Sequence, residues 1–248
     1  MKRLNFEAFG ISDVGIDKQV NQDSFVYKVV ETGDFYYGIF AVADGVGGLE
    51  KGEVASSIAI SCINKWWEND FKSNVTDLDF LIKSLIQTIK DANDQIKKLA
   101  DAKLIKMATT LSVLFLYKDS YFIINVGDSR IYKISNFFSG RITQLTQDHS
   151  QIIEKTYNGQ LVRKSVLTQC LGNKDSFEYF CTTEKLKKND YFMLCSDGIY
   201  KTQPSEVVLK IFRENIKNIS KICSGLIDNA KVNNEKDNIS VIVVRITD

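Results

Sequence analysis

The spacing of apolar and polar residues predicts helices in two parts of the chain. In residues 53–70 and 77–100, apolar side chains recur every three or four positions, the period of a helix with one buried face. In the second segment that face consists of Leu78, Ile82, Leu85, Ile89, Ile96 and Leu99. Two more helices are predicted towards the carboxyl end, over 204–215 and 218–232, because Pro204 suits the first turn of a helix.

Continuous apolar runs predict the strands. They cover 35–43, 110–117, 121–126, 130–134, 191–195 and 239–247. Only the tripeptide Lys-Asp-Ser separates the second run from the third, which favours a hairpin and therefore an antiparallel pair. Helices before and after the strands predict sheet layers covered by helices. Because no repeat or Pro/Ser-rich linker interrupts the chain, we expect one domain over residues 1–248.

Composition and charge narrow the class of protein. The 248 residues are 44% hydrophobic, enough for a substantial core, and the formal net charge of +1 gives no reason to invoke nucleic acid or an anionic membrane. No apolar run approaches the roughly 20 residues of a membrane helix, and the first ten residues lack the core of a signal peptide. The five cysteines show no metal-site or disulfide spacing and are expected to be small buried hydrophobes. We expect a soluble, cytoplasmic monomer.

Carboxylates recur at the ends of the predicted strands. They are Asp23, Asp44, Asp128, Asp197 and Asp237. An isolated Asp-Gly is common in ordinary turns, but several carboxylates that converge at one sheet edge would repel each other unless a cation held them. Oxygen ligands without a histidine or cysteine cluster favour Mg²⁺ or Mn²⁺ over zinc, and the single histidine, His149, cannot build a zinc site.

A series of motifs resembles those of the metal-dependent serine/threonine protein phosphatases, the PPM or type 2C family, in its bacterial single-domain form. In chain order they are SDVGIDKQVNQDSF, VADGVGG, MATTLSV, NVGDSRIY, LTQDHS, VLTQCLG, LCSDGIY and DNISVIVV. They cover nearly the whole chain. The resemblance implies an α+β fold, a four-layer sandwich of two antiparallel β-sheets flanked by pairs of helices, with a centre for two Mn²⁺ or Mg²⁺ ions at one end. It also implies a flap at about residues 150–180.

The resemblance also implies a role for each carboxylate. Asp44 would bridge both ions, and Gly45 would bind one through its backbone carbonyl. Asp197 and Asp237 would hold the first ion, so that Asp44, Asp197 and Asp237 are the catalytic carboxylates. Asp23 would support the second ion through bound water.

A third, weaker metal site would involve Asp128 together with Asp197. The alternative for Asp128 is an ordinary turn cap or an ion pair with Arg130. In the predicted flap, Arg163 and Lys164 could contact acidic or phosphorylated peptides, although solvated charges are the simpler interpretation.

The chain departs from the family pattern at three places. Lys18 stands three residues after Gly15, where the family usually has arginine to clamp substrate phosphate, and lysine keeps the charge but loses the bidentate fork. Val46 and Leu49 occupy the region where a histidine is common, and Gln22 replaces the glutamate of many relatives. We assign His149 to structural hydrogen bonding rather than to proton donation.

The implied reaction is hydrolysis of phosphoserine and phosphothreonine in proteins phosphorylated by a serine/threonine kinase. Two divalent ions would bridge a hydroxide that attacks phosphorus in line. No cysteine is followed by arginine six positions later, so a cysteine nucleophile is not indicated. One alternative is a degenerate phosphatase that binds phosphoproteins with little turnover. Another is a phosphoaspartate receiver, against which the predicted hairpin argues.

Overall fold

The computed structural model describes residues 4–33, 35–135, 140–157 and 160–247, without the side chains of 155–157, 160–162 and 164. The strands are β1 (Asn5–Asp13), β2 (Asp23–Thr32), β3 (Phe35–Asp44), β4 (Leu111–Tyr117), β5 (Ser120–Val126), β6 (Arg130–Ser135), β7 (Arg141–Gln144), β8 (Ser150–Tyr157), β9 (Gln160–Leu167), β10 (Phe180–Lys185), β11 (Tyr191–Cys195) and β12 (Ile239–Thr247). They form two five-stranded sheets, ordered β1-β12-β11-β6-β7 and β10-β5-β4-β3-β2, and the separate pair β8-β9. We call the first of these the β1–β12 sheet and the second the β2–β3 sheet.

The helices are α1 (Gly52–Trp66), α2 (Leu78–Lys103), α3 (Asp197–Tyr200), α4 (Ser205–Glu214) and α5 (Ile219–Val232). A π-helical turn, Trp67–Phe71, continues α1. At the start of α2 the Asp77 side chain accepts a hydrogen bond from the Phe80 N–H, and the helix ends where Leu104 takes a left-handed conformation (φ 55°). None of the helices in the described ranges is both long and apolar enough to cross a membrane.

Three apolar layers lie between four layers of secondary structure. Helices α1 and α2 pack on one face of the β2–β3 sheet, around side chains such as Trp66, Leu85 and Phe115. The other faces of the two sheets enclose a second layer, which includes Phe40 and Leu194. Helices α4 and α5 cover the outer face of the β1–β12 sheet. This arrangement confirms the predicted α+β sandwich of two antiparallel sheets flanked by pairs of helices.

All strand pairs within the described residues are antiparallel, and the predicted hairpin joins β4 to β5 with Tyr117 opposite Ser120. A phosphoaspartate receiver requires parallel βα units, so the receiver interpretation is wrong. Strands β1, β2 and β7 to β10 had not been predicted. They lie at sheet edges or outside the sandwich, and their partly exposed side chains do not form long apolar runs.

The cysteine prediction needs one correction. Four cysteines are buried as free thiols, whereas Cys181 on the edge strand β10 is exposed. Its side chain faces away from the core because alternate residues of a strand point to opposite faces.

The segment predicted to form a flap contains the β8–β9 hairpin. Glu154 on β8 is paired with Arg163 on β9, at 2.8 Å between carboxylate and guanidinium, and Ile152 is exposed. The Lys164 side chain and residues 158–159 lie outside the described residues. After the hairpin the chain returns to the sandwich at Leu171, which exchanges two backbone hydrogen bonds with Thr109.

Candidate active site

The β2–β3 sheet brings two carboxylates face to face at one end of the sandwich. Asp23 begins β2, Asp44 ends β3, and the two residues are directly paired in the antiparallel register. The backbone of Asp44 is held on both sides. Its N–H donates to Thr110 Oγ1 at 3.0 Å, and its carbonyl accepts from the Thr110 N–H and the Thr109 hydroxyl, each at 2.9 Å. The strand therefore delivers Asp44 on a rigid backbone.

Gly45 allows the chain to turn sharply after Asp44. A side chain there has no room, because a Cβ on Gly45 would lie 2.4 Å from the backbone of Gly52 at the start of α1 and 2.7 Å from the Gln22 carbonyl oxygen. The Gly45 N–H donates to that same carbonyl at 3.1 Å. Glycine is required here for the close packing of the turn on the start of α1.

The β1–β12 sheet contributes two carboxylates, each paired with a lysine. Asp197 begins α3, separated from the end of β11 only by Ser196, and its Oδ2 accepts a hydrogen bond from Lys201. Asp237 lies two residues before the start of β12, and its Oδ1 is 3.0 Å from Lys18 Nζ. Gly15, in a left-handed conformation (φ 81°), packs so tightly on the Asp237 carbonyl that a Cβ would lie 2.2 Å from its oxygen. The loop that carries Lys18 is thereby locked against Asp237.

Asp23 is buried between the two sheets. Its Oδ2 accepts a hydrogen bond from the Ser196 hydroxyl at 2.7 Å, whereas Oδ1 has no hydrogen-bond partner among the described residues. Burial raises the pKa of Asp23 to about 6, and the charges of Asp197 and Asp237 act in the same direction, whereas the hydrogen bond from Ser196 acts against the rise.

The remaining carboxylates are also electrostatically coupled. Burial raises the pKa of Asp44 well above its usual range, and the charges of Asp23, Asp197, Asp237 and Asp128 raise it further. Burial, followed by the charge of Asp197, raises the pKa of Asp128 to about 6. In each of these carboxyl groups burial is the larger cause of the raised pKa, and the charges of neighbouring carboxylates from the predicted set add to it.

The donor set fits hard divalent cations. Only oxygen ligands are brought together, and two of them, Asp23 Oδ1 and Asp197 Oδ1, are buried oxygens without a hydrogen-bond partner in the described part of the chain. The carboxylates do not form a closed coordination set, since no group of three His, Cys, Asp or Glu residues in the described ranges is arranged to hold an ion. The carboxylates thus lie at one end of the sandwich without forming a closed coordination set.

The neighbourhood of Asp128 corrects one alternative from the sequence. Arg130 is not paired with Asp128; its guanidinium forms a bidentate pair with Asp148, at 2.6 Å for the shorter contact, and stacks 3.6 Å from the centre of the Tyr200 ring. The Tyr200 hydroxyl in turn donates to the Asp128 carbonyl at 3.0 Å. The Asp128 carboxylate therefore forms no ion pair with Arg130.

His149 makes the structural hydrogen bonds predicted for it. Its Nδ1 accepts from the Gly127 N–H at 3.2 Å, its own N–H donates to the Gly127 carbonyl at 3.0 Å, and its carbonyl accepts from the Thr168 N–H at 2.8 Å. Burial lowers the pKa of His149, consistent with an unprotonated acceptor nitrogen. The histidine thus fastens the base of the β8–β9 hairpin to the loop that carries Asp128.

Sequence reasoning missed several residues that position the site. Asn238 accepts from the Gln22 N–H at 2.9 Å and donates to the carbonyls of Val14 and Val20, at 2.8 and 3.1 Å. Ser196 holds Asp23, as described above. Both residues are direct chain neighbours of predicted ligands, Asn238 of Asp237 and Ser196 of Asp197, and this adjacency is the signal that could have indicated them. Val46 and Leu49, which occupy the region where the family commonly has a histidine, lie in and next to the glycine turn. The Val46 N–H donates to the Ala108 carbonyl.

The fold and these motifs have close parallels in known proteins. Residues 16–223 match the family model described as protein phosphatase 2C. The chain belongs to this family. It is 30% identical to the serine/threonine phosphatase stp of Listeria welshimeri over 216 residues, which cover 83% of each chain.

Solved structures show the same architecture. The serine/threonine phosphatase Stp1 of Staphylococcus aureus superposes with a TM-score of 0.82 at 25% identity, covering 98% of this chain and 96% of that one. The catalytic domain of the serine/threonine protein phosphatase PstP, solved with two manganese ions, has a TM-score of 0.77 at 23% identity and covers 99% and 100%. This second likeness concerns the fold alone.

Proposed function

We propose that this phosphatase 2C family member is a metal-dependent serine/threonine protein phosphatase that hydrolyses phosphoserine and phosphothreonine at the carboxylate cluster. The observation that carries the proposal is the convergence of Asp23, Asp44, Asp197 and Asp237 from both sheets at one end of the sandwich. Two buried carboxylate oxygens there have no hydrogen-bond partner among the described residues. The proposal extends to this chain the activity for which its relatives are named.

The proposed ligands follow the positions of the cluster. Asp44 would contribute to both of two Mn²⁺ or Mg²⁺ ions, and the Gly45 carbonyl to one of them. Asp197 and Asp237 would hold the first ion, and Asp23 would support the second through water. When bound, the ions supply an activated water and neutralise the charge of the phosphoryl group. Asp128 with Asp197 would form a third, weaker site.

The chain's own residues bind and orient the substrate. Lys18 lies next to Asp237, and its Nζ is 3.8 Å from the position of a Cβ on Gly47, so the ammonium borders the glycine turn. We assign to it the binding of substrate phosphate as a single positive charge. In the glycine turn Gly45–Gly48, the exposed positions Gly47 and Gly48 carry no side chain, which leaves room for a protein segment to approach.

The test is hydrolysis of phosphoserine and phosphothreonine peptides by the full chain, with Mn²⁺, with Mg²⁺ and with excess chelator. We expect turnover only with a divalent cation and its loss in Asp44→Asn. The control is Asp228→Asn, an equal charge change at an exposed position of α5, which should retain wild-type turnover. Metal-independent turnover, or unchanged turnover in Asp44→Asn, would contradict the proposal.

No specific observation favours a degenerate phosphatase that only binds phosphoproteins. All five predicted carboxylates are present, and they converge. Stoichiometric phosphopeptide binding without release of phosphate would identify that behaviour in the same assay. We further propose a cytoplasmic monomer whose partners are proteins phosphorylated by a serine/threonine kinase, and sedimentation of the purified chain tests the monomer.

A further inference from the structure

Lys201 places a positive charge inside the carboxylate cluster. Asp197 begins the single turn of α3, and Lys201 follows it by four residues, the spacing that brings two side chains to the same helix face. Its ammonium group donates to Asp197 Oδ2. The Asp197 side chain is 12% exposed and that of Lys201 is 44% exposed, so one partner is fixed in the site while the other reaches in from its rim.

The charge of Lys201 acts on more than its hydrogen-bonded partner. Burial lowers the pKa of Lys201, but the charges of Asp197, Asp128 and Asp44 outweigh it and hold the pKa above its usual value. Burial and the charge of Asp197 raise the pKa of Asp128, and the positive charge of Lys201 reduces that rise. The geometry agrees, because Tyr200, the residue before Lys201, donates its hydroxyl to the Asp128 carbonyl at 3.0 Å, while Lys201 itself donates to Asp197. The end of α3 that carries Lys201 therefore lies against both Asp197 and the loop of Asp128.

The two oxygens of Asp197 differ in their surroundings. Oδ2 is paired with Lys201, whereas Oδ1 is buried and has no hydrogen-bond partner in the described part of the chain. Asp197 can thus offer Oδ1 to a metal ion while Oδ2 keeps its lysine. An ion bound between Asp128 and Asp197 through Oδ2 would instead meet the ammonium group, and two cations in that space repel each other.

We propose that Lys201 is a tethered cation that neutralises the Asp128 side of the cluster and competes with any divalent ion bound between Asp128 and Asp197. The proposal rests on the metal centre proposed above and adds a residue that limits how many ions it holds tightly. Lys201 acts through Asp197 and is a positioning residue. Because it is covalently attached, it balances the charge at every metal concentration, whereas an ion at the third site must displace it.

Metal stoichiometry tests this directly. Mn²⁺ is titrated calorimetrically into the metal-free full chain, as wild type, Lys201→Met and Lys201→Arg. We expect two tightly bound ions in the wild type and the arginine variant. In Lys201→Met we expect a third ion to bind about tenfold or more tightly than it binds to the wild type, because a neighbouring charge is removed. Lys72→Met is the matched control, since Lys72 also follows its acidic partner, Glu68, by four residues, but on the exposed end of the α1 extension.

The stability of the metal-free protein gives a second readout. Without Lys201 the carboxylates lose a compensating charge, so the thermal midpoint of metal-free Lys201→Met should fall below that of the wild type, and saturating Mn²⁺ should reduce the difference. Lys201→Gln repeats both measurements with a polar side chain if the methionine variant does not fold.

The outcomes separate the two proposals. A third tight ion already present in the wild type, or unchanged Mn²⁺ binding in the neutral variants, overturns the role of Lys201 and leaves the metal centre standing. Absence of Mn²⁺ binding to the wild type overturns both. A similar gain of a third ion in Lys72→Met would show a general charge effect and would also overturn the specific role.

Discussion

The two sheets supply carboxylates to the same site but treat their charge differently. On the β1–β12 side, Asp197 and Asp237 are each paired with a lysine, Lys201 and Lys18. On the β2–β3 side, Asp23 and Asp44 face each other across adjacent strands, and no ion pair to either carboxylate is found in the described ranges. One half of the cluster is therefore balanced by the chain itself, while the other half depends on protons or bound cations.

The largest expected effect comes from the unbalanced half. Asp44→Asn should reduce kcat by at least about 10²- to 10³-fold, the range found when one strong electrostatic contribution to a transition state is removed. Asp237→Asn should also collapse turnover, and both variants should bind Mn²⁺ more weakly. The measurement is phosphopeptide hydrolysis at saturating Mn²⁺. Near-native rates in either variant would disprove the assignment of that residue as a ligand.

The second largest effect is expected in the pH dependence of stability, which depends on Asp23 on the β2–β3 side. Burial holds the pKa of Asp23 at about 6 in the folded protein, against 3.8 for an ordinary Asp. Between these values the folded state binds more protons than the unfolded state, so the free energy of unfolding of the metal-free protein should fall as the pH rises from about 4 to 6. In Asp23→Asn we expect this pH-dependent decrease in the free energy of unfolding to be smaller by on the order of 2 to 3 kcal/mol. The measurement is urea denaturation over this pH range with a chelator present.

Bound Mn²⁺ should reverse that trend, because the cations stabilise the ionised carboxylates that the folded protein otherwise protonates. If the free energy of unfolding depends on pH equally in the wild type and in Asp23→Asn, Asp23 ionises at its ordinary pKa. Its carboxylate on the β2–β3 side is then not destabilised by burial or by its neighbours.

A smaller effect is expected at Lys18, on the β1–β12 side, where each carboxylate is paired with a lysine. Lys18→Ala should raise KM for phosphopeptides and weaken inhibition by inorganic phosphate. The loss of binding free energy should be about 1 to 3 kcal/mol, the value of a charge-assisted hydrogen bond. Lys18→Arg should preserve or improve both. The control is Lys236→Ala, a nearby exposed lysine whose Nζ lies 3.6 Å from Asp17. Unchanged KM in Lys18→Ala would mean that the lysine serves only its pair with Asp237.

The smallest effect is expected at His149, which lies outside the carboxylate cluster. His149→Ala should cost about 1 kcal/mol of stability through its lost hydrogen bond and should speed hydrogen exchange at the Gly127 amide. Turnover of phosphopeptides and of p-nitrophenyl phosphate should change by the same factor. Selective loss of phosphopeptide turnover would instead identify His149 as the proton donor, since only the serine alkoxide needs one.

Much of the fold could be read from local pattern. The strands β3, β4, β5, β11 and β12 are buried along most of their length and so appear as apolar runs, and α2 begins one residue after the predicted position. The predicted end of α1 was less accurate, because its last turn continues as a π-helix around the buried residues Trp67 and Phe71. Edge strands such as β2 have mixed burial, and their pairing depends on neighbours distant in sequence.

The sequence by itself determined which residues could form the site, because strand ends, glycine turns and the carboxylates between them are local features. Only the tertiary structure decided how the charges are divided. The pair of Lys18 with Asp237 joins opposite ends of the chain, and the proton affinity of Asp23 depends on how deeply two sheets enclose it. Such charge interactions vary with distance through space and with exclusion of water, and neither quantity is encoded by spacing along the chain.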